Sequence, residues 1–162
     1  MFERFRPFNL AVGVRYFFCR LLCLGCGPRL VLLRHADYDG GPGDPSLNAD
    51  GLARRDQLAH VLSEIGVSHI IVSQWARTAQ TAQTLATATG LTPEQITHNN
   101  YAAIVAAARS HPSTVLIVGH SDTVPELIRR FTGTPGPVIA STDFDNMFIS
   151  ERTRLIHLRY GA

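Results

Sequence analysis

The chain has 162 residues and a formal net charge of +2, and all fifteen basic residues are arginines. This length suits one domain with a sizeable core. Residues 1–29 carry five arginines and one glutamate, whereas the rest of the chain has a net charge of −2. The basic excess therefore lies in the N-terminal segment, and the remainder lacks the basic patches that indicate nucleic-acid binding.

Residues 1–29 read as a hydrophobic and basic leader. They open with Met1-Phe2-Glu3-Arg4, become apolar, and hold every cysteine of the chain, namely Cys19, Cys23 and Cys26. The pattern fits an export signal, a loose membrane anchor or sequence upstream of the true start. We expect export or membrane tethering through this leader rather than a cytoplasmic location. Residues 30–162 contain no cysteine, so their chemistry uses no thiol.

The first half of residues 30–162 alternates predicted strands and helices. A continuous apolar strand is expected at the centre of a sheet covered on both faces, and the turn-forming loop after it is expected to line one wall of a site. Ser46 or Asn48 is expected to cap the first helix, and Gly66 to end it. In chain order the predicted elements are strand Leu30–Arg34, loop Asp37–Pro45, helix Ala49–Ile65, strand Ser68–Ser73 and a helix from Trp75 stopped by Gly90.

The second half continues the alternation and closes with a strand pair. The predicted elements are a short strand near Ile96, helix Tyr101–Arg109, strand Thr114–Val118, a helix opened by Thr123-Val124-Pro125, and strands Asn146–Ser150 and Arg154–Arg159. Alternating strands and helices predict an α/β fold. We expect a three-layer sandwich with a mostly parallel central sheet flanked by helices.

Cationic and imidazole side chains stand at the ends of the predicted strands. Arg34 and His35 end the first strand, His120 follows the strand Thr114–Val118, and Arg77 lies in the first turn of the helix after Ser73. Ligands of open α/β sheets bind outside the carboxyl ends of the strands. A helix N-terminus also favours phosphate, so we expect these groups to converge on one phosphate-binding crevice.

Three motifs in this order resemble those of the histidine phosphatase (phosphoglycerate-mutase-like) superfamily. They are Arg34-His35, Ser73 with Arg77-Thr78-Ala79-Gln80-Thr81, and Gly119-His120. The resemblance covers roughly residues 30–160 and implies a phosphoglycerate-mutase-like fold. In size the chain is similar to the short bacterial phosphohistidine phosphatases, and the resemblance implies no cofactor.

The resemblance also implies roles for the site residues. His35 would be the nucleophile that takes the phosphoryl group, while Arg34, Arg77 and His120 would hold phosphate oxygens. Neighbouring positive charge should lower the pKa of His35 and keep it neutral for attack. His120 either donates to phosphate or is partly protonated. Ser73 and Thr78 are expected to orient Arg77 or cap its helix.

The general acid is the position that the motifs leave open. Asp122 is the preferred candidate, although it is equally suited to cap the helix that Pro125 opens. Glu94 fits an exposed turn or strand start better, and Asp37 and Asp44 are further options. The sequence gives no functional weight to the remaining histidines, which are His60, His69, His98, His111 and His157.

These features predict hydrolysis of a phosphomonoester or phosphohistidine through a covalent phosphohistidine on His35, without a metal. The expected partner is a phosphorylated small molecule or a phosphoprotein, and not nucleic acid. The alternative is a non-catalytic phosphate-binding module with the same pocket. A metallohydrolase that uses the histidines together with Asp37, Asp39 and Asp44 is disfavoured, because these residues lack ligand spacing on a shared face.

Overall fold

The structure is a computed structural model that describes residues 27–151 and 154–161. The predicted signal or anchor falls almost wholly on residues 1–26, outside the described residues, and stays a prediction. In the part of the chain that is described, no helix has the length and apolar character needed to cross a membrane.

A six-stranded sheet forms the middle layer of the described residues. Its strands are β1 Arg29–Arg34, β2 Val67–Val72, β3 Glu94–Gln95, β4 Thr114–Gly119, β5 Asn146–Glu151 and β6 Arg154–Arg159. The spatial order is β3-β2-β4-β1-β5-β6. Strands β1 to β4 are mutually parallel, whereas β5 runs antiparallel to both of its neighbours. The carboxyl ends of β1, β2 and β4 therefore share one edge of the sheet.

Helices cover both faces of this sheet. They are α1 Ala49–Leu62, α2 Ala76–Thr89, α3 Tyr101–Ser110 and α4 Thr123–Thr132. Alternate residues of β1 enter two separate cores: Val31 and Leu33 pack with α1 and α2, and Leu30 and Leu32 pack with α3 and α4. The predicted three-layer sandwich with a mostly parallel sheet is confirmed, and β1 lies at its centre as expected.

The first helix is shorter than the sequence predicts. It ends at Leu62, and the chain turns through residues 63–66 instead of remaining helical to Ile65. Of the two predicted caps, Asn48 is the one used, because its side chain accepts a hydrogen bond from the Gly51 backbone at 2.9 Å. Gly66 follows with a positive φ of 74°, a conformation that glycine adopts without steric cost.

Candidate active site

A cavity of about 320 Å³ opens where β1, β2 and β4 end. The predicted nucleophile, the three predicted phosphate-binding residues and the preferred acid share it with four other residues. The lining is Arg34, His35, Tyr38, Trp75, Arg77, His98, His120, Ser121 and Asp122. A larger cavity of about 660 Å³ lies at the amino ends of the strands, beside Arg29 and Thr114, and contains none of the predicted site residues.

His35 directly follows β1, and its backbone is bound to the end of the neighbouring strand β4. Its backbone N–H donates to the Gly119 carbonyl at 2.9 Å, and its side chain is buried. Ring Nδ1 is 2.8 Å from the Ala36 carbonyl oxygen. A carbonyl oxygen only accepts, so Nδ1 carries the hydrogen and Nε2 keeps a free lone pair. Burial, together with the positive charge of Arg34, lowers the pKa of His35 to about 3, which leaves the ring neutral at pH 7.

His120 lies next to His35, with 5.3 Å between the ring centroids. Its Nε2 is 2.9 Å from Ser73 Oγ, which is in turn 3.0 Å from Thr78 Oγ1. Burial and the charge of Arg77 lower the pKa of His120 to about 4. The ring of His120 is therefore neutral at pH 7 in the phosphate-free pocket, and not partly protonated. Ser73 thus contacts His120, and both side chains also bind the backbone at the start of α2, where Ser73 Oγ accepts the Trp75 N–H at 3.3 Å and Thr78 Oγ1 donates to the Trp75 carbonyl at 2.8 Å.

Arg34 has a structural partner that the sequence did not predict. Its Nη1 donates to the backbone carbonyls of Ala140 at 3.1 Å and Ser141 at 2.8 Å, and its guanidinium lies 4.0 Å from the Phe144 ring centroid. Burial lowers the pKa of Arg34. The buried Nε of Arg34 has no hydrogen-bond partner among the described residues. Arg34 thus lines the cavity while its Nη1 holds the 140–143 loop.

Arg77 lies in the first turn of α2, as predicted. Its Nη1 is 3.5 Å from Asp44 Oδ1, and its buried Nε likewise lacks a described partner. Asp44 Oδ2 accepts the Ala76 backbone N–H at 2.7 Å. This end of α2 was expected to offer its free N–H groups to phosphate, but one of them is already bound by a carboxylate.

Of the candidate acids, only Asp122 lines the cavity. It is also the N-cap of α4, with Oδ1 accepting the Thr123 N–H at 2.8 Å, so both sequence interpretations of this residue hold structurally. Asp37 is instead paired with Arg54, 2.6 Å from its Nε. Glu94 begins β3 and contacts His69, away from the cavity.

His98 is a cavity residue that the sequence analysis missed. Its backbone N–H donates to Gln74 Oε1 at 3.0 Å, and its ring Nδ1 is 3.0 Å from Gln74 Nε2. Because Gln74 Oε1 accepts a hydrogen bond, Gln74 Nε2 is the amide nitrogen and donates to His98 Nδ1. The ring hydrogen of His98 is therefore on its Nε2. The sequence did contain a signal for His98, because this residue closely follows β3 and the carboxyl end of β3 lies at the same sheet edge as the cavity.

The second motif also fixes the backbone around His35. Thr81 Oγ1 accepts the Ala36 N–H at 2.9 Å and donates to the Arg77 carbonyl at 2.7 Å. Gln80 Oε1 accepts the Leu47 N–H at 2.9 Å. These two side chains tie α2 to the end of β1 and to the loop before α1.

Comparisons with known proteins agree with the fold and the first two motifs. Residues 30–99 match the model of the histidine phosphatase superfamily (branch 1). This range includes Arg34-His35 and the Ser73–Thr81 motif, whereas His120 lies beyond it. A comparison with curated protein sequences finds no significant match.

Solved structures with the same fold cover most of the chain. One is an Agrobacterium tumefaciens protein assigned as the phosphohistidine phosphatase SixA, with 23% identity, a TM-score of 0.63, and coverage of 83% of this chain and 97% of that one. A mycobacterial glucosyl-3-phosphoglycerate phosphatase complexed with VO3 has 18% identity, a TM-score of 0.65 and coverage of 83% and 98%. The protein histidine phosphatase SixA complexed with tungstate has 16% identity, a TM-score of 0.61 and coverage of 83% and 96%.

The family match and the shared fold confirm the resemblance that the motifs indicate. Residues 30–99 are therefore similar to the histidine phosphatase superfamily, and the described residues share the fold of the phosphatases named above.

Proposed function

We propose that the protein hydrolyses phosphorylated substrates through a covalent phosphohistidine on His35. The observation that carries the proposal is the state of the His35 ring in the cavity. Its Nδ1–H is bound to the Ala36 carbonyl and its pKa is lowered to about 3. Nε2 is therefore a neutral nucleophile at physiological pH.

The cations and donors around His35 suit a phosphoryl dianion. The guanidinium groups of Arg34 and Arg77, which line the cavity, would donate to phosphoryl oxygens, where charge-assisted hydrogen bonds are strong. His120 and the Nε2–H of His98 would add further donors. The 140–143 loop holds Arg34, and Ser73 holds His120. The pocket would therefore be organised before substrate binds.

The reaction would proceed in two displacements at phosphorus. In the first, His35 Nε2 bonds to phosphorus while the bond to the leaving group breaks, and Asp122 or solvent gives a proton to the departing atom. In the second, water bonds to phosphorus, the N–P bond breaks, and the water proton returns to Asp122 or solvent. His35 regains its lone pair and inorganic phosphate leaves.

The substrate we propose is a phosphorylated small molecule or a phosphoprotein with a good leaving group. Asp122 already accepts a hydrogen bond from the Thr123 N–H, and the other acid candidates lie outside the cavity or are paired with arginines. A phosphohistidine needs little help from an acid, because protonated imidazole leaves readily. The named phosphohistidine phosphatases of the same fold support this class.

The proposal is tested by hydrolysis of an aryl phosphate in a strong chelator, with His35→Ala as the inactive variant. Wild-type protein should turn over without metal, and His35→Ala should lose at least about 10³-fold in kcat/KM, because the nucleophile is gone. The matched control is His60→Ala, an exposed histidine on α1 outside the cavity, which should be as active as wild type.

Other outcomes would change the assignment. Equal activity of His35→Ala and wild type would exclude the covalent mechanism. Loss of wild-type activity in chelator, restored by added metal, would exclude a metal-independent reaction. Tight phosphate binding without turnover of any substrate would favour the non-catalytic phosphate-binding module.

A further inference from the structure

We propose that the domain carries a binding site for a divalent transition metal, best suited to Zn²⁺, formed by His69, Glu94 and His111. The three side chains come from β2, β3 and the turn between α3 and β4, and their ligand atoms all lie within 4.8 Å of one another. None of them lines the cavity around His35, so the site is separate from the phosphate pocket.

The ligand types fit zinc. Two imidazole nitrogens and one carboxylate oxygen are all ordinary zinc ligands, and three protein ligands leave a fourth tetrahedral position for water. With metal–ligand bonds of about 2.0–2.2 Å, tetrahedral ligand atoms lie roughly 3.3–3.6 Å apart. Ion binding would therefore move His69 Nε2 and Glu94 Oε2 slightly apart, and would bring together any ligand atoms that are now up to 4.8 Å from each other.

The present contacts already bring the ligands together. His69 Nε2 is 2.7 Å from Glu94 Oε2, and the rings of His69 and His111 are stacked with 3.6 Å between centroids and 13° between planes. Because an imidazole lone pair lies in its ring plane, stacked rings hold their lone pairs in two separate parallel planes, and a shared ion requires one ring to turn about its Cβ–Cγ bond. His111 is free to do this, since its ring forms no hydrogen bond to any residue within the described ranges. His69 Nε2 now donates to Glu94, so coordination through Nε2 would require the ring hydrogen to move to Nδ1.

Without a metal, the cluster contributes little to the fold. Glu94 is exposed, and exposed ion pairs contribute about 0–1 kcal/mol. A bound ion would connect the two-residue edge strand β3 to β2 and to the α3–β4 turn. A ligand that binds only the folded state raises the free energy of unfolding by RT ln(1 + [L]/Kd), where [L] is the free ligand concentration. We therefore assign the site a stabilising role at this edge of the sheet.

The experiment is a Zn²⁺ titration of the full chain without a polyhistidine tag, followed by calorimetry and thermal unfolding. Cys19, Cys23 and Cys26 are replaced by serine in every protein, so that thiolates do not bind the ion. The parent should bind one Zn²⁺ and unfold at a higher temperature with it. His111→Ala and Glu94→Gln should each weaken this binding more than about 10-fold, because each removes or weakens one ligand.

Two controls make the result decisive. His60→Ala removes an exposed histidine outside the cluster and should bind Zn²⁺ like the parent. His35→Ala should also bind like the parent. Binding that survives in His111→Ala and Glu94→Gln but is lost in His35→Ala would place the ion in the phosphate pocket and overturn the proposal. A folded parent that binds no Zn²⁺ would overturn it too. Glu94 is exposed, so Glu94→Gln keeps the test valid if His111→Ala misfolds.

Discussion

At the scale of single residues, His35 and His120 occupy one buried pocket but have different partners. His35 is bound through Nδ1 to a backbone carbonyl, whereas His120 is bound through Nε2 to a serine hydroxyl. Burial is the largest cause of the lowered pKa of both rings, and Arg34 or Arg77 adds to it. The rings are therefore neutral when a phosphate dianion arrives.

The protonation of these rings is directly measurable by NMR titration. The C–H resonances of His35 and His120, assigned with His35→Gln and His120→Gln, should titrate at about pH 3 and about pH 4. Since a bound dianion stabilises the protonated rings, added phosphate should move both midpoints upward. A midpoint near the ordinary histidine value of about 6.5 in the phosphate-free protein would contradict the account.

His98 and Asp122 line the same cavity and should affect the reaction differently. Gln74 binds Nδ1 of His98 and leaves its Nε2–H to donate, so His98→Ala should lower kcat/KM by about 2- to 10-fold for every aryl phosphate. Asp122→Asn removes the proposed proton donor. The loss of kcat/KM in this variant should therefore rise toward about 10²-fold or more as the leaving-group pKa increases.

A series of aryl phosphates with graded leaving groups separates the two roles. Thr87→Val, an exposed change on α2, serves as the control and should leave the whole series unchanged. If the loss of kcat/KM grew with leaving-group pKa in His98→Ala and stayed constant in Asp122→Asn, His98 would be the proton donor to the leaving group and Asp122 would not.

At the scale of elements, α2 connects the ends of β1 and β2. Thr78 holds Ser73, which positions His120, and Thr81 binds the Ala36 N–H next to His35. The helix therefore orients both histidines, while its Arg77 reaches the cavity. This explains why a serine, an arginine and two threonines are needed at fixed spacing within nine residues.

Thr81→Val tests this connection, because it keeps the shape of the side chain and removes its hydroxyl. The buried Ala36 N–H would lose its acceptor, at a cost of about 1–3 kcal/mol in the free energy of unfolding. Phosphatase activity should fall with it, since Ala36 also supplies the carbonyl that orients His35. Urea unfolding and kcat/KM measure the two effects. Thr87→Val is the matched control, and equal values for both variants would contradict the predicted role of Thr81.

The order of elements was predictable, but several contacts between them were not. Apolar runs and capping residues located every strand and helix to within a few residues, apart from the early end of α1 at Leu62. Side-chain partners across the chain could not be predicted, because spacing along one segment carries no information about another. The bond from Arg34 to the Ser141 carbonyl joins residues 107 positions apart. Asp44 likewise binds Ala76 from a glycine-rich loop.

At the scale of the whole molecule, parallel strands explain why the sequence located the site. His35 and His120 end neighbouring strands, with Arg34 paired to Gly119 in register, so the strand rule alone brings the two rings together. The same rule applied to β3 would have included His98. The His69, Glu94 and His111 cluster was not predictable, because it depends on a two-residue edge strand and the turn after α3.

We expect the phosphoryl group to pass through His35 during turnover. Wild-type protein and His35→Ala are mixed with a ³²P-labelled phosphoryl donor, quenched in alkaline denaturant, and digested for mass spectrometry of the labelled peptide. We expect acid-labile, alkali-stable label on the peptide that contains His35, and no label on the His35→Ala protein. Turnover with the label on another residue, or equal labelling of His35→Ala, would contradict the account.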